Sequence, residues 1–111
     1  MTILKEYGIN NDKRMRYNLS EAQGTNLSDM VGQRIQVKAY ILIEDTDPTT
    51  GEPRKSLKVL SDDGDIIGTR SQSFIAGFEK FLVCMESDEC TEFEVAQARS
   101  HAGRNYLTFK A

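Results

Sequence analysis

Arg34-Ile35-Gln36-Val37-Lys38-Ala39-Tyr40-Ile41-Leu42-Ile43-Glu44 is the stretch on which the fold turns. Ile35, Val37, Ala39, Ile41 and Ile43 recur at every second position, with Gln36, Lys38, Tyr40 and Leu42 between them. Side chains alternate between the two faces of a strand. This spacing, rich in β-branched residues, predicts one long strand with the first set in a core and the second facing outward.

Working outward, Asp45 to Pro53 holds two prolines and a glycine and reads as an exposed loop. Arg54 to Ser61 is a second strand, with Leu57 and Val59 inward and Arg54, Ser56 and Lys58 outward. Asp62-Asp63-Gly64-Asp65 is a tight turn, and Ile66 to Arg70 a short third strand. The period then changes. Phe74, Phe78, Phe81, Leu82 and Met85 recur at helical spacing behind the N-cap candidates Ser71, Gln72 and Ser73, which predicts a helix over 71–85. Its phenylalanine stripe belongs to core packing. Two further strands follow, from Phe93 to Arg99 and from Tyr106 to Lys110, around a turn containing Gly103.

Three strands, a helix and two strands make a sheet short enough to curl and dispose of its edges. The expected fold is mainly β: a five-stranded OB-type barrel over residues 31–111, with one helix between strands three and four. An open α+β sheet uses the same elements. Residues 1–30 are expected to be an N-terminal arm and lead-in turn. Ile3, Leu4, Tyr7, Met15, Tyr17 and Leu19 are its scattered apolar anchors, placed to lie across the barrel or to pair as an extra strand, and Asn26 to Gly32 is a single helical turn closed by glycine.

The chain has 111 residues, the size of one domain, and a formal net charge of −3. An acidic global field repels polyanions, so any polyanion surface must be a local basic stripe. Residues 1–60 carry nine Lys/Arg against eight Asp/Glu and residues 61–111 five against nine, which directs the search to the first half. No apolar run reaches the length of a membrane span, and a cytoplasmic protein without membrane partners is expected. Cys84, Cys90 and the single histidine, His101, lack the paired spacing of a zinc site. No metal and no cofactor are expected. Cys84 is expected buried at the helix end and Cys90 is expected to be a free thiol.

The lead-in and first strand Val31-Gly32-Gln33-Arg34-Ile35-Gln36-Val37-Lys38, the helix with Phe74, Ile75, Phe78 and Phe81, and the closing Gly103-Arg104-Asn105-Tyr106-Leu107-Thr108-Phe109 resemble a known family. It is that of the small OB-fold single-stranded-DNA-binding proteins of bacteriophages and mobile elements. The resemblance covers roughly residues 31–110. It implies sequence-independent binding of single strands during replication or recombination, in the bacterial host cytoplasm, without catalysis or cofactor. The chain departs from many such proteins in having no tryptophan and no acidic C-terminal tail.

Holding a strand without reading its sequence takes cations for phosphates and flat side chains for bases. The expected nucleic-acid-binding residues are Lys38 and Tyr40 on the first strand, Arg54 and Lys58 on the second and Arg70 on the third. Arg99, Arg104 and Tyr106 join them from the last hairpin. Tyr40 is the expected stacking platform. Lys13, Arg14 and Arg16 with Tyr17 form the densest basic patch. The expected partner is single-stranded DNA, with RNA as the alternative, and a homodimer or higher oligomer is part of the expectation.

Catalysis finds little support. Asp62, Asp63 and Asp65 surround a hairpin glycine and lack a companion histidine cluster, and no glycine-rich phosphate loop or nucleophile with a base occurs. The competing reading is a protein-interaction adaptor presenting Tyr40, Leu42, Leu60 and Tyr106 to a protein partner. An acidic net charge suits it.

Overall fold

The computed structural model describes residues 1–111. The elements run β1 (Thr2–Tyr7), α1 (Lys13–Glu21), β2 (Thr25–Asn26), a 3-10 turn (Leu27–Met30), β3 (Arg34–Thr46), β4 (Pro53–Ser61), β5 (Ile66–Thr69), α2 (Gln72–Met85), β6 (Glu92–Arg99) and β7 (Asn105–Lys110). Strands hold 43% of the chain and there are two α-helices, so the class is mixed α/β rather than mainly β.

The sheet order is β2-β5-β4-β3-β6-β7, with β1 also on β3. β6 takes Arg34–Gln36 of β3, and β1 pairs with the same strand from Tyr40 to Glu44. The sheet curls into a half-barrel, and β5 and β7 do not pair to close it. α2 spans the opening instead. Ser73 Oγ donates to the Leu107 carbonyl of β7 at 2.7 Å, and Lys55 of β4 pairs with Glu79 at 3.0 Å. The helix starts where its cap predicts, with Ser71 Oγ accepting from the Phe74 N–H, and Glu86 ends it in a left-handed conformation.

The long strand does not keep one face. Its register against β4 slips between Val37↔Ser61 and Ala39↔Leu60, which inserts Lys38 as a bulge residue. Before the bulge Ile35 and Val37 face the main core; after it Tyr40 and Leu42 do. Ala39, Ile41 and Ile43 turn to the opposite face, into a second cluster with Ile9 and Leu19. The expected alternation is therefore inverted from residue 39 onward, and Tyr40 is 0% exposed.

The apolar anchors of the N-terminal arm both pair and pack. β1 extends the sheet, and α1 covers the outer face of β3 with Leu19 2% exposed. Gly8 runs so close to β3 that a Cβ there would collide with the Lys38 carbonyl, and its φ is +75°. Arg16 on α1 clasps Glu6 on β1, donating from Nε at 2.8 Å and Nη2 at 2.7 Å.

That clasp gives a pH signature. The hydrogen bond from Arg16 holds the Glu6 carboxyl below its ordinary value of 4.5, against the opposing effect of burial. A lowered folded-state value stabilises the fold above the unfolded value, and the contribution disappears as pH falls through the folded one. Glu6→Gln is expected to melt lower than the wild type at neutral pH, and its melting temperature should decline less steeply as pH falls from about 5 toward 3. Parallel pH profiles of the two proteins would show that the clasp contributes nothing.

Both cysteines are free thiols, but Cys84, expected buried, is exposed, and Cys90 is the buried one. Cys84 falls on the outer side of α2, between Val83 and Met85, which are also exposed. Cys90 closes the main core ahead of β6, where burial pushes its thiol up to about 11.

Candidate nucleic-acid interface

β4 and β5 follow the predicted alternation. Leu57 and Val59 point into the core, which sends Lys58 to the outer face opposite Gly68, and Arg70 follows β5 on that side. Gly68 has no side chain to block the Lys58 stem, whose Cδ would stand 3.2 Å from a Cβ built there. The segment joining α1 to β2 passes over the same place. Gly24, with φ +61°, lies so close to β5 that a Cβ would strike the Ile66 carbonyl.

Between these pieces is an open pocket of about 400 Å³ lined by Gln23, Gly24, Asn26, Lys58, Gly68, Thr69 and Arg70. None of its lining residues is hydrophobic and none is acidic. Lys58 Nζ donates to the Ala22 carbonyl, and Arg70 Nε donates to Ser56 Oγ at 3.4 Å. Neither cation has a carboxylate at ion-pair distance. Burial first, and the Arg70 charge second, hold the Lys58 ammonium below its usual range; Glu21 acts the other way without pairing with it. Asn26 accepts from the Ser28 N–H through Oδ1, which leaves its amide hydrogens to the pocket rim.

Elsewhere many cations are neutralised. Lys5, Arg16, Arg34, Arg54, Lys55 and Lys110 each pair with a carboxylate within 3.7 Å. Arg54 is one of the expected site residues, and its bond to Asp45 at 2.9 Å removes it as a free phosphate contact. Lys38 is exposed at the bulge and makes no side-chain hydrogen bond.

Tyr40 is removed from the interface altogether. Its ring meets Phe78 edge-on at 4.9 Å and its hydroxyl donates to the Asp88 carbonyl at 2.5 Å. Burial raises its hydroxyl above the usual phenol range. The expected docking face loses Leu42, buried in the core, as well as Tyr40, while Leu60 is half-buried against the second cluster and Tyr106 stays exposed.

The last hairpin does not form one platform. Ala98 opposes Tyr106 and Arg99 opposes Asn105, so Tyr106 and Arg99 project from opposite faces. Arg99 Nε turns back to the Gly103 carbonyl at 3.4 Å, while Arg104 and His101 are exposed in the turn. On α1, Lys13, Arg14 and Tyr17 share the solvent side without ion pairs, and Tyr17 is 66% exposed. Arg16 leaves that patch for Glu6.

Of the pocket residues only Lys58 and Arg70 are expected from the sequence; Gln23, Asn26 and Thr69, with the two glycines, are not. Gly24-Thr25-Asn26 signals a turn, but the parallel pairing of β2 with β5 that carries it to the pocket has no local signature. No three His, Cys, Asp or Glu come together as a metal-ligand group, and no helix is long and apolar enough to cross a membrane. Comparison of the chain with family models, curated proteins and solved structures finds no match.

Proposed function

We propose that the protein binds single-stranded DNA largely without regard to sequence, protecting strands during replication or recombination, and that its half-barrel is an open OB-type fold. The order β5-β4-β3-β6-β7, with α2 between β5 and β6, supports the fold reading. OB-folds bind oligonucleotides across their second and third strands, which here correspond to β4 and β5. The observation that carries the proposal is the Lys58–Arg70 pair: one cation on β4 and one just past the end of β5 line a polar pocket, and neither makes an ion pair with a carboxylate.

The outer face of β3 is occupied by α1, so the strand's path runs along the β4–β5 side and over α1. There Lys13 and Arg14 supply charge and Tyr17 the exposed ring for a base. Tyr17 takes the stacking role first given to Tyr40. Lys38 and the Arg99, Arg104 and Tyr106 hairpin are secondary contacts. Nothing in this role requires catalysis or a cofactor.

Titration of a fluorescent oligo-dT at two salt concentrations tests the reading. With about four phosphates neutralised, by Lys58, Arg70, Lys13 and Arg14, log K should fall with log salt at a slope of about −3. The double variant Lys58→Gln/Arg70→Gln should reduce the magnitude of that slope by about 1.4. Oligo-U in parallel decides between DNA and RNA. A flat titration at low salt would overturn the proposal and leave the adaptor without nucleic-acid binding.

A further inference from the structure

We infer that the Lys58–Arg70 pocket takes a phosphate monoester, the terminal phosphate of a strand, in preference to an internal diester. The inference rests on the proposed strand binding for the identity of the ligand, and on the pocket itself for its chemistry.

The charge count comes first. Lys58 and Arg70 line one pocket and Lys58 feels the Arg70 charge; the carboxylates within reach, Glu21 of Lys58 and Asp45 of Arg70, are not among the lining residues, and Asp45 is held by Arg54. A diester brings one negative charge to the two cations that line the pocket. A monoester brings up to two at neutral pH and a third acceptor oxygen, so it matches both cations. A guanidinium and an ammonium together suit that group, the first as a planar fork and the second as a point charge.

Shape is the second argument. The pocket has no apolar or aromatic lining, so it offers nothing to a base and everything to a phosphate. Its floor is β4 and β5, and β2 is already paired along β5, with the Gln23–Gly24 linker above. Chain already fills the far side. The Gln23–Gly24 linker lies on β5 at Ile66 and Gly68, so a strand that ends in the open pocket avoids it, and one that continues across β5 there runs into it.

The experiment compares one short oligonucleotide in four forms: unphosphorylated, 5′-phosphorylated, 3′-phosphorylated, and 5′-phosphorylated with the phosphate capped as its methyl diester. Binding is followed by anisotropy, with inorganic phosphate and a mononucleotide as separate probes. One phosphorylated end should bind roughly tenfold tighter than the unphosphorylated strand, and the methyl cap should remove that gain if the end is 5′. Arg70→Gln, at an exposed position, should abolish the difference, and Arg70→Lys should restore part of it. A thermal melt verifies that each variant is folded.

Equal affinities for all four strands would overturn the inference while leaving strand binding intact. If no strand binds but the mononucleotide does, and Arg70→Gln eliminates it, the pocket's preference stands and the strand reading falls. Binding by neither strands nor phosphate probes overturns both.

Discussion

Tyr40→Ala is expected to lower the melting temperature by on the order of 15 °C or more and to abolish cooperative unfolding in the worst case, without any direct loss of a strand contact. The ring is fully buried, against Phe78 at 4.9 Å and Tyr7 at 6.1 Å, and its hydroxyl holds the Asp88 carbonyl. Truncating a buried aromatic costs about 3–5 kcal/mol, a large share of the roughly 5–15 kcal/mol that keeps a domain folded. The lost hydroxyl also frees the loop after α2, which Asp88 ties to Lys5 of β1 by an ion pair at 2.9 Å. Tyr40→Phe separates the two effects: the ring stays, and about 1 kcal/mol of hydrogen bonding goes. Thermal melts of the three proteins, with oligo-dT titrations of those that fold, decide the matter. A Tyr40→Ala protein with an unchanged melt and weakened strand binding would show that Tyr40 is a surface platform after all.

Why Tyr40 was misplaced bears on how far such a sequence can be read. Strict alternation holds from Arg34 to Lys38, and a strand with one solvent face should continue it. Instead Ala39-Tyr40-Ile41-Leu42-Ile43 is an uninterrupted apolar run, the mark of a strand buried on both faces. That run calls for a second covering layer, which Ile9 and Leu19 provide. The bulge itself was not legible, because Lys38 is neither glycine nor flanked by one; the slip is set by pairing with β4 and by Gly8 pressed on the Lys38 carbonyl.

Where local pattern and tertiary demand agreed, the elements came out in place: α2 behind its Ser71 cap, β4 with Leu57 and Val59 inward, β5 after its aspartate-rich turn. The same alternation put Lys58 and Arg70 outward. It did not reveal that Asp45 stands opposite Arg54 across the β3–β4 loop and neutralises it, since that follows from the register. Nor did it place Cys84: one residue of rotation on a helix decides which side is buried, and the stripe through Phe74, Phe78 and Leu82 passes beside Cys84.

Deleting residues 1–21 is expected to leave a chain that no longer folds cooperatively, rather than a barrel relieved of a tail. The deletion exposes Ala39, Ile41 and Ile43 on β3 with Leu60 and Ile66 beside them, a contiguous apolar face in the middle of the sheet. It also removes β1 from the edge of β3, leaving backbone groups from Tyr40 to Glu44 unpaired. Loss of Ile9 and Leu19 alone forfeits about 1.5–3 kcal/mol for each side chain. Size-exclusion chromatography and a thermal melt of residues 22–111 give the result, with aggregation or a non-cooperative melt expected; a monomer melting at the full-length temperature would make the segment a removable arm. Leu19→Ala is the milder probe, expected to cost about 2–5 kcal/mol while the pocket cations stay in place. If it destabilises the fold and leaves strand affinity unchanged, α1 acts as scaffold and the Lys58–Arg70 side carries the binding. If affinity rises as α1 loosens, the helix competes with the strand for the face of β3, and the path over α1 through Tyr17 is the wrong one.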